Sequence, residues 1–288
     1  MKIKMNKQLL IFTFISIFWF GCKKQKSSNY PEYYKLYNKV LKLEKADRIE
    51  EAFQLFQKAE KLVEFIPVQH LLSARSYAYK LQDCNLTLDY FQKAVNNGLE
   101  YQNYNYNPEL CNEIDNTSVT ELKFDYEYKN EVAAIYSSDQ AIRNSSDKDN
   151  MKEIDSINIE ILLSLIERKG YPNSRVVGNK TANNAFIVLL HYDSDIGNRR
   201  LRPLLNEAYN QGMLSPENYA WIVDRRRFWG PDRIEPYFYQ LPSKKYFEMT
   251  VEEIAIIDAR RDSIGLKPLS EMGIRKTENG GISITNTY

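Results

Sequence analysis

Apolar residues are distributed in three regimes along this chain. Leu9 to Phe20 is an almost unbroken apolar block of 12 residues, interrupted only by Thr13 and Ser16. From Tyr30 to about residue 100 the apolar positions recur at helical spacing. Ile49, Ala52, Phe53, Phe56, Ala59 and Val63 mark one face of a helix, and Leu88, Phe91, Ala94 and Val95 mark another. Two further helices are predicted ahead of them, over about 32–45 and 68–81. The third regime begins near Val132 and carries clear punctuation. Asp149 is placed to cap a helix with the stripe Ile154, Ile157, Ile161 and Leu165, which Gly170 and Pro172 terminate. A helix over about 180–192 presents Ala182, Ala185, Phe186 and Leu189. Ser215-Pro216 starts another, with proline at the first helical position. Thr250 and Glu253 form a capping box ahead of Ile254, Ile257 and Ile264, and Gly265 then Pro268 stop that helix.

The predicted fold is therefore mainly α: helical hairpins followed by a compact multi-helix domain. The tetrapeptide Phe56-Gln57-Lys58-Ala59 recurs as Phe91-Gln92-Lys93-Ala94, 35 residues later. Helix pairs at this period resemble tetratricopeptide repeats, which implies a surface for a protein or peptide partner. Gly98 is expected to cap the second pair. Residues 101–130 change character, with Tyr101, Tyr104, Tyr106, Tyr126 and Tyr128 among Asn, Asp and Glu. They read as a tyrosine-rich connector with one short helix near 108–113. The domain plan is 1–21, 22–30, 31–100, 101–130, 131–275 and a tail over 276–288 that frays or forms a short strand.

The apolar block spans roughly 18 Å as a helix, short of the ~30 Å hydrocarbon core. Lys2, Lys4 and Lys7 precede it and Gly21-Cys22 ends it. That order reads as an export signal of the bacterial lipoprotein type, with Cys22 as the lipidated residue. Lipid on Cys22 would tether the chain to a membrane of the cell envelope, facing the periplasm or the exterior. Residues 22–30 then serve as a polar leash.

Charge adds exclusions. The 288 residues carry a net charge of +1, so no global field favours nucleic acid. No phosphate-binding glycine loop, nucleophile elbow or zinc-type spacing is present, and no cofactor or metal is implied. After Cys22 only Cys84 and Cys111 remain. A pair of buried thiols is the expected state, and an oxidising compartment would also permit a disulfide.

Several polar pieces follow one another in order: Asp139-Gln140 with Arg143, Asp155 with Asn158, Gly170-Tyr171-Pro172, Val177-Gly178, then His191 and Asp193. After them come Asp224-Arg225, Tyr237 with Gln240, Asp258 with Arg260-Arg261, and Gly265-Leu266. In this series residues 131–272 resemble the domain of unknown function 6624. This chain has Leu190 where that family usually has glutamine before the histidine. It reads Tyr237-Phe238-Tyr239-Gln240 where the family tends to have Tyr-Gly-Thr-Gln. The resemblance implies an architecture and a candidate site, without an assigned reaction.

The candidate ligand-binding set is Asp139, Arg143, His191, Asp224, Arg225, Gln240, Asp258 and Arg261. Asp139 and Arg143 are one helical turn apart and read as a surface pair. Asp224 and Asp258 are natural partners for the arginine groups around Arg225–Arg227 and Arg260–Arg261. Arg225 and Arg261 with Gln240 would hold a carboxylate or phosphate. His191 ends an apolar helix and is the candidate catalytic residue, since a histidine oriented by a carboxylate is a usual general base. The functional expectation is an envelope lipoprotein acting as a binding or scaffold module for a protein, peptide or small anionic ligand. The alternative is an envelope hydrolase or transferase with His191 as base.

Overall fold

The structure, a computed structural model, describes residues 28–100, 119–145, 149–191, 195–228, 237, 249–276 and 282–285. The leader expected to be of the lipoprotein type (with Cys22), the short helix expected near 108–113, and Gln240 lie outside these residues. The chain is mainly α.

Four helices form the N-terminal lobe: α1 (Tyr30–Lys45), α2 (Ile49–Ala59), α3 (Val68–Lys80) and α4 (Cys84–Asn96). The 35-residue recurrence extends to the backbone. Asp47 and Gln82, 35 apart, both take positive φ, at 56° and 58°. Each makes the left-handed step that ends one helix and launches the next. Arg48 N–H donates to Leu43 O at 2.9 Å, and Asp83 N–H donates to Ala78 O at 3.0 Å, again 35 apart at both ends. Ala52, Phe56 and Ala59 are fully buried, as are Phe91 and Ala94 nearly so. Thr87 occupies the place of Ala52 in the second hairpin. Its hydroxyl donates to Asp83 O at 2.7 Å, which satisfies the added polar group in a buried position.

The C-terminal lobe comprises α5 (Tyr126–Asn144), α6 (Met151–Lys169), α7 (Ser174–Val177), α8 (Asn179–His191), α9 (Asp195–Asn210), α10 (Pro216–Phe228) and α11 (Val251–Ser263). A two-stranded antiparallel hairpin closes it, β1 (Gly273–Lys276) with β2 (Ile282–Thr285), in the register Ile274 opposite Ile284. The short strand expected as one reading of 276–288 is present as β2, and its partner β1 starts before residue 276. The connector is shortened too, because α5 begins at Tyr126 under an Asp125 cap.

Two local readings need correction. The helix over 151–169 follows Asn150, with no side-chain cap from Asp149. Its buried side is Ile159, Leu162, Leu163, Leu165 and Ile166, so of the expected stripe Leu165 is buried while Ile157 and Ile161 stay 48% and 47% exposed. The helix is apolar on more than one face, so spacing alone could not choose the inward one; packing against α5 and α8 does. The second is α9, which no sequence pattern predicted. Pro203 lies inside it, yet Leu201, Leu205, Ala208 and Tyr209 make a buried stripe that holds it.

The two lobes are joined along a seam with many direct bonds. Ser174 Oγ donates to Asn97 O at 2.6 Å, and Asn179 N–H donates to Gly98 O at 3.0 Å. Arg175 donates to Asn97 Oδ1 and to Glu64 O, both at 2.9 Å. Tyr30 Oη donates to Gln211 O at 3.0 Å, and Lys35 pairs with Asp262 at 2.7 Å. Gly98, at φ +102°, does more than cap α4: a Cβ there would meet Ser174 O at 2.0 Å.

Candidate functional site

Three elements build the site. α5 carries Asp139 and Arg143 one turn apart, α6 carries Asp155 and Asn158, and α8 ends on His191. α5 packs on both α6 and α8, which brings the three helices' polar residues together.

Asp139 is the centre and is 1% exposed. His191 Nδ1 lies 3.0 Å from each of its carboxylate oxygens. Gln140 Nε2 donates to Oδ2 at 2.7 Å, and Arg143 Nη1 lies 3.0 Å from Oδ1. Arg143 in turn donates to Asp139 O at 2.8 Å and to Asp155 Oδ2 at 3.0 Å. The expected surface pair is thus a buried one. A buried carboxylate needs this compensation, because desolvation otherwise outweighs its attractions.

The arrangement has a chemical consequence at His191. With Nδ1 donating to Asp139, the neutral ring keeps a lone pair on Nε2. Nε2 has no hydrogen-bond partner among the described residues, and the His191 side chain is 16% exposed. Asn158, 3% exposed on α6, leaves its Nδ2 without a partner. Among the described residues no group of three or more His, Cys, Asp or Glu is placed to hold a metal.

The remaining candidates that the structure describes stand elsewhere. Asp224, 1% exposed, accepts the Tyr237 N–H on Oδ1 at 3.1 Å, and Arg261 Nη1 donates to Tyr237 O at 2.8 Å. The two side chains clamp one residue's backbone from both sides. Arg261 also donates to Lys267 O at 2.6 Å. Asp258 accepts from Leu269 N–H, Ser270 N–H and Ser270 Oγ, so it organises the turn after α11 rather than pairing with an arginine. Arg200, in another basic group, pairs with Glu160 and Glu167 on the surface. The side chains of Arg225 and Asp193 lie outside the described residues, as does Gln240.

Sequence reasoning left Gln140 and Asp155 out of the site set. Their signal was present: each is polar and stands one residue or one turn from a partner on an otherwise apolar helix. It also left out His70, which is not part of this cluster. Its ring stacks on Tyr37 at 3.5 Å between centroids, and its Nδ1 is 2.8 Å from the Tyr33 hydroxyl. Burial lowers its pKa to about 3. The expectation of free thiols is corrected as well, because Cys84 is disulfide-bonded. No helix among the described residues is long and apolar enough to cross a membrane.

The family model of a family of unknown function, DUF6624, matches residues 127–283, and the chain belongs to that family. The match includes every helix of the Asp139–His191 cluster. No curated protein and no solved structure matches the chain.

Proposed function

We propose that this member of family 6624 is an exported, membrane-tethered envelope protein that binds its ligand at His191. One observation carries the binding reading: a histidine held by a buried, compensated carboxylate, with its second ring nitrogen unused by any described residue. A purely structural histidine usually spends both nitrogens on hydrogen bonds. The charged leader ending at Cys22 supports the tether, and the disulfide at Cys84 supports an oxidising compartment. The test is to extract the full chain in detergent and compare the small molecules that co-purify with wild type and with His191→Ala. A compound retained by wild type and lost from the variant is expected. Identical sets from both would end the reading. For the tether, Cys22→Ser is expected to release the chain from membranes.

A second reading has the same geometry in its favour. Nδ1 on a carboxylate and an Nε2 that no described residue engages is the arrangement a general base requires. His191 would then take a proton from water or a hydroxyl in a hydrolase or transferase reaction. Turnover of p-nitrophenyl acetate or phosphate, lost in His191→Ala and reduced in Asp139→Asn, would support it. Equal turnover in all three proteins would remove it.

A further inference from the structure

The seam between the lobes holds a solvent-open pocket of about 330 Å³, and its walls have a consistent chemistry. Tyr34 of α1 and Gln69 of α3 come from the N-terminal lobe. Asn183 and Phe186, three residues apart, come from one face of α8, and Ser215 and Asn218 come from the start of α10. No charged side chain is among the described lining residues. None of the amides of Gln69, Asn183 and Asn218 makes a side-chain hydrogen bond among the described residues. Tyr34, 4% exposed, forms part of the wall and has a hydroxyl with no partner.

We infer that this seam cavity is a binding site for an uncharged, hydroxyl-rich ligand of monosaccharide size. An amide offers a donor and an acceptor side by side, which matches two adjacent hydroxyls of a pyranose ring. The aromatic walls at Tyr34 and Phe186 suit the C–H face of such a ring. An anion would enter without a counter-charge, and an acid beside the walls, Glu217 hydrogen-bonded to Ser215, would repel it. The volume falls at the lower end of the roughly 300–1,000 Å³ typical of small-molecule sites. The cavity lies at the first half of α8, and His191 is eight residues beyond Asn183, ~12 Å along the helix axis. The site therefore stands whether or not the reading of His191 does.

The experiment is calorimetric titration of the full chain in detergent with glucose, mannose and N-acetylglucosamine, with sodium acetate and phosphate as charged probes. Saturable binding of at least one sugar and none of the anions is expected. Asn183→Leu, at an exposed position, is expected to weaken that binding about tenfold, the worth of one lost hydrogen bond. Leu72→Trp, which fills the cavity, is expected to abolish it, with a cooperative melt showing that the variant is folded. Failure of all three sugars to bind wild type overturns the inference. So does sugar binding that Asn183→Leu leaves unchanged, or an anion that binds in the sugar's place.

Discussion

Acid should loosen the N-terminal lobe through one residue, His70. Its pKa falls from 6.5 to about 3 in the folded protein because burial opposes the charged ring. The Tyr33 hydroxyl donating to Nδ1 suits the neutral form. Between these two values the unfolded chain binds a proton that the folded chain refuses. Stability is therefore fully present above about pH 7 and falls as pH drops through 6.5, continuing to fall until about pH 3. Linkage gives a loss of about 1.4 kcal/mol between pH 7.5 and pH 5.5, and about 1.4 kcal/mol for each unit below that. Partial exposure of the residue trims the first figure toward about 1 kcal/mol. The assay is urea unfolding followed by circular dichroism at both pH values, for wild type and His70→Phe. Phenylalanine keeps the stack on Tyr37 and cannot titrate. It strands the Tyr33 hydroxyl, but that cost is the same at both pH values. The difference in unfolding free energy between the two proteins should shift by about 1 kcal/mol on acidification. A difference that does not move with pH refutes the assignment of a neutral, buried His70.

Other perturbations test the site and the seam. Asp139→Ala leaves His191 Nδ1 unpartnered and strips Arg143 of one carboxylate; a loss of about 3 kcal/mol by denaturant unfolding is expected. His191→Gln should cost less in the same assay, since Asp139 keeps its bonds to Gln140 and Arg143. Gly212→Ala places a Cβ 2.0 Å from the Tyr30 ring at a φ of +73°, so a loss of roughly 2 kcal/mol or more is expected, with a lower melting temperature. Reduction of the Cys84 disulfide, or Cys84→Ser, should lower stability by about 2–4 kcal/mol, read as a lower melting temperature in dithiothreitol. Thr250→Ala removes the capping box of α11 and should cost about 1 kcal/mol.

Local signals carried much of this fold. The capping box at Thr250, the proline start at Ser215-Pro216 and the 35-residue echo of Phe-Gln-Lys-Ala each rest on bonds within one turn or one hairpin, and all are present. What failed depends on neighbours that spacing cannot supply. Which face of α6 points inward is decided by α5 and α8. α9 tolerates Pro203 because its buried stripe outweighs one missing hydrogen bond. At the site, Asp139 and Arg143 were legible as a pair, but their burial was not, since it needs α8 to arrive 52 residues later with His191. Asp258 was legible as a chemically capable residue. Only the turn at Leu269 and Ser270 shows that its oxygens are already engaged.

The seam changes what α1 to α4 are for. Helical hairpins of this kind would be read as a display surface, yet Tyr30, Lys35, Asn38, Glu64 and Asn97 all reach across to the second lobe. The stretch matched by the family, 127–283, has its own apolar core, yet its bonds across the seam go to residues that precede the family boundary. A gene cut at its boundary would produce a protein with a wound: Gly212 and Gly265 would face water where Tyr30 and Tyr34 now sit. One edge of the hairpins is thus already occupied, by a neighbour that is covalently attached and always present.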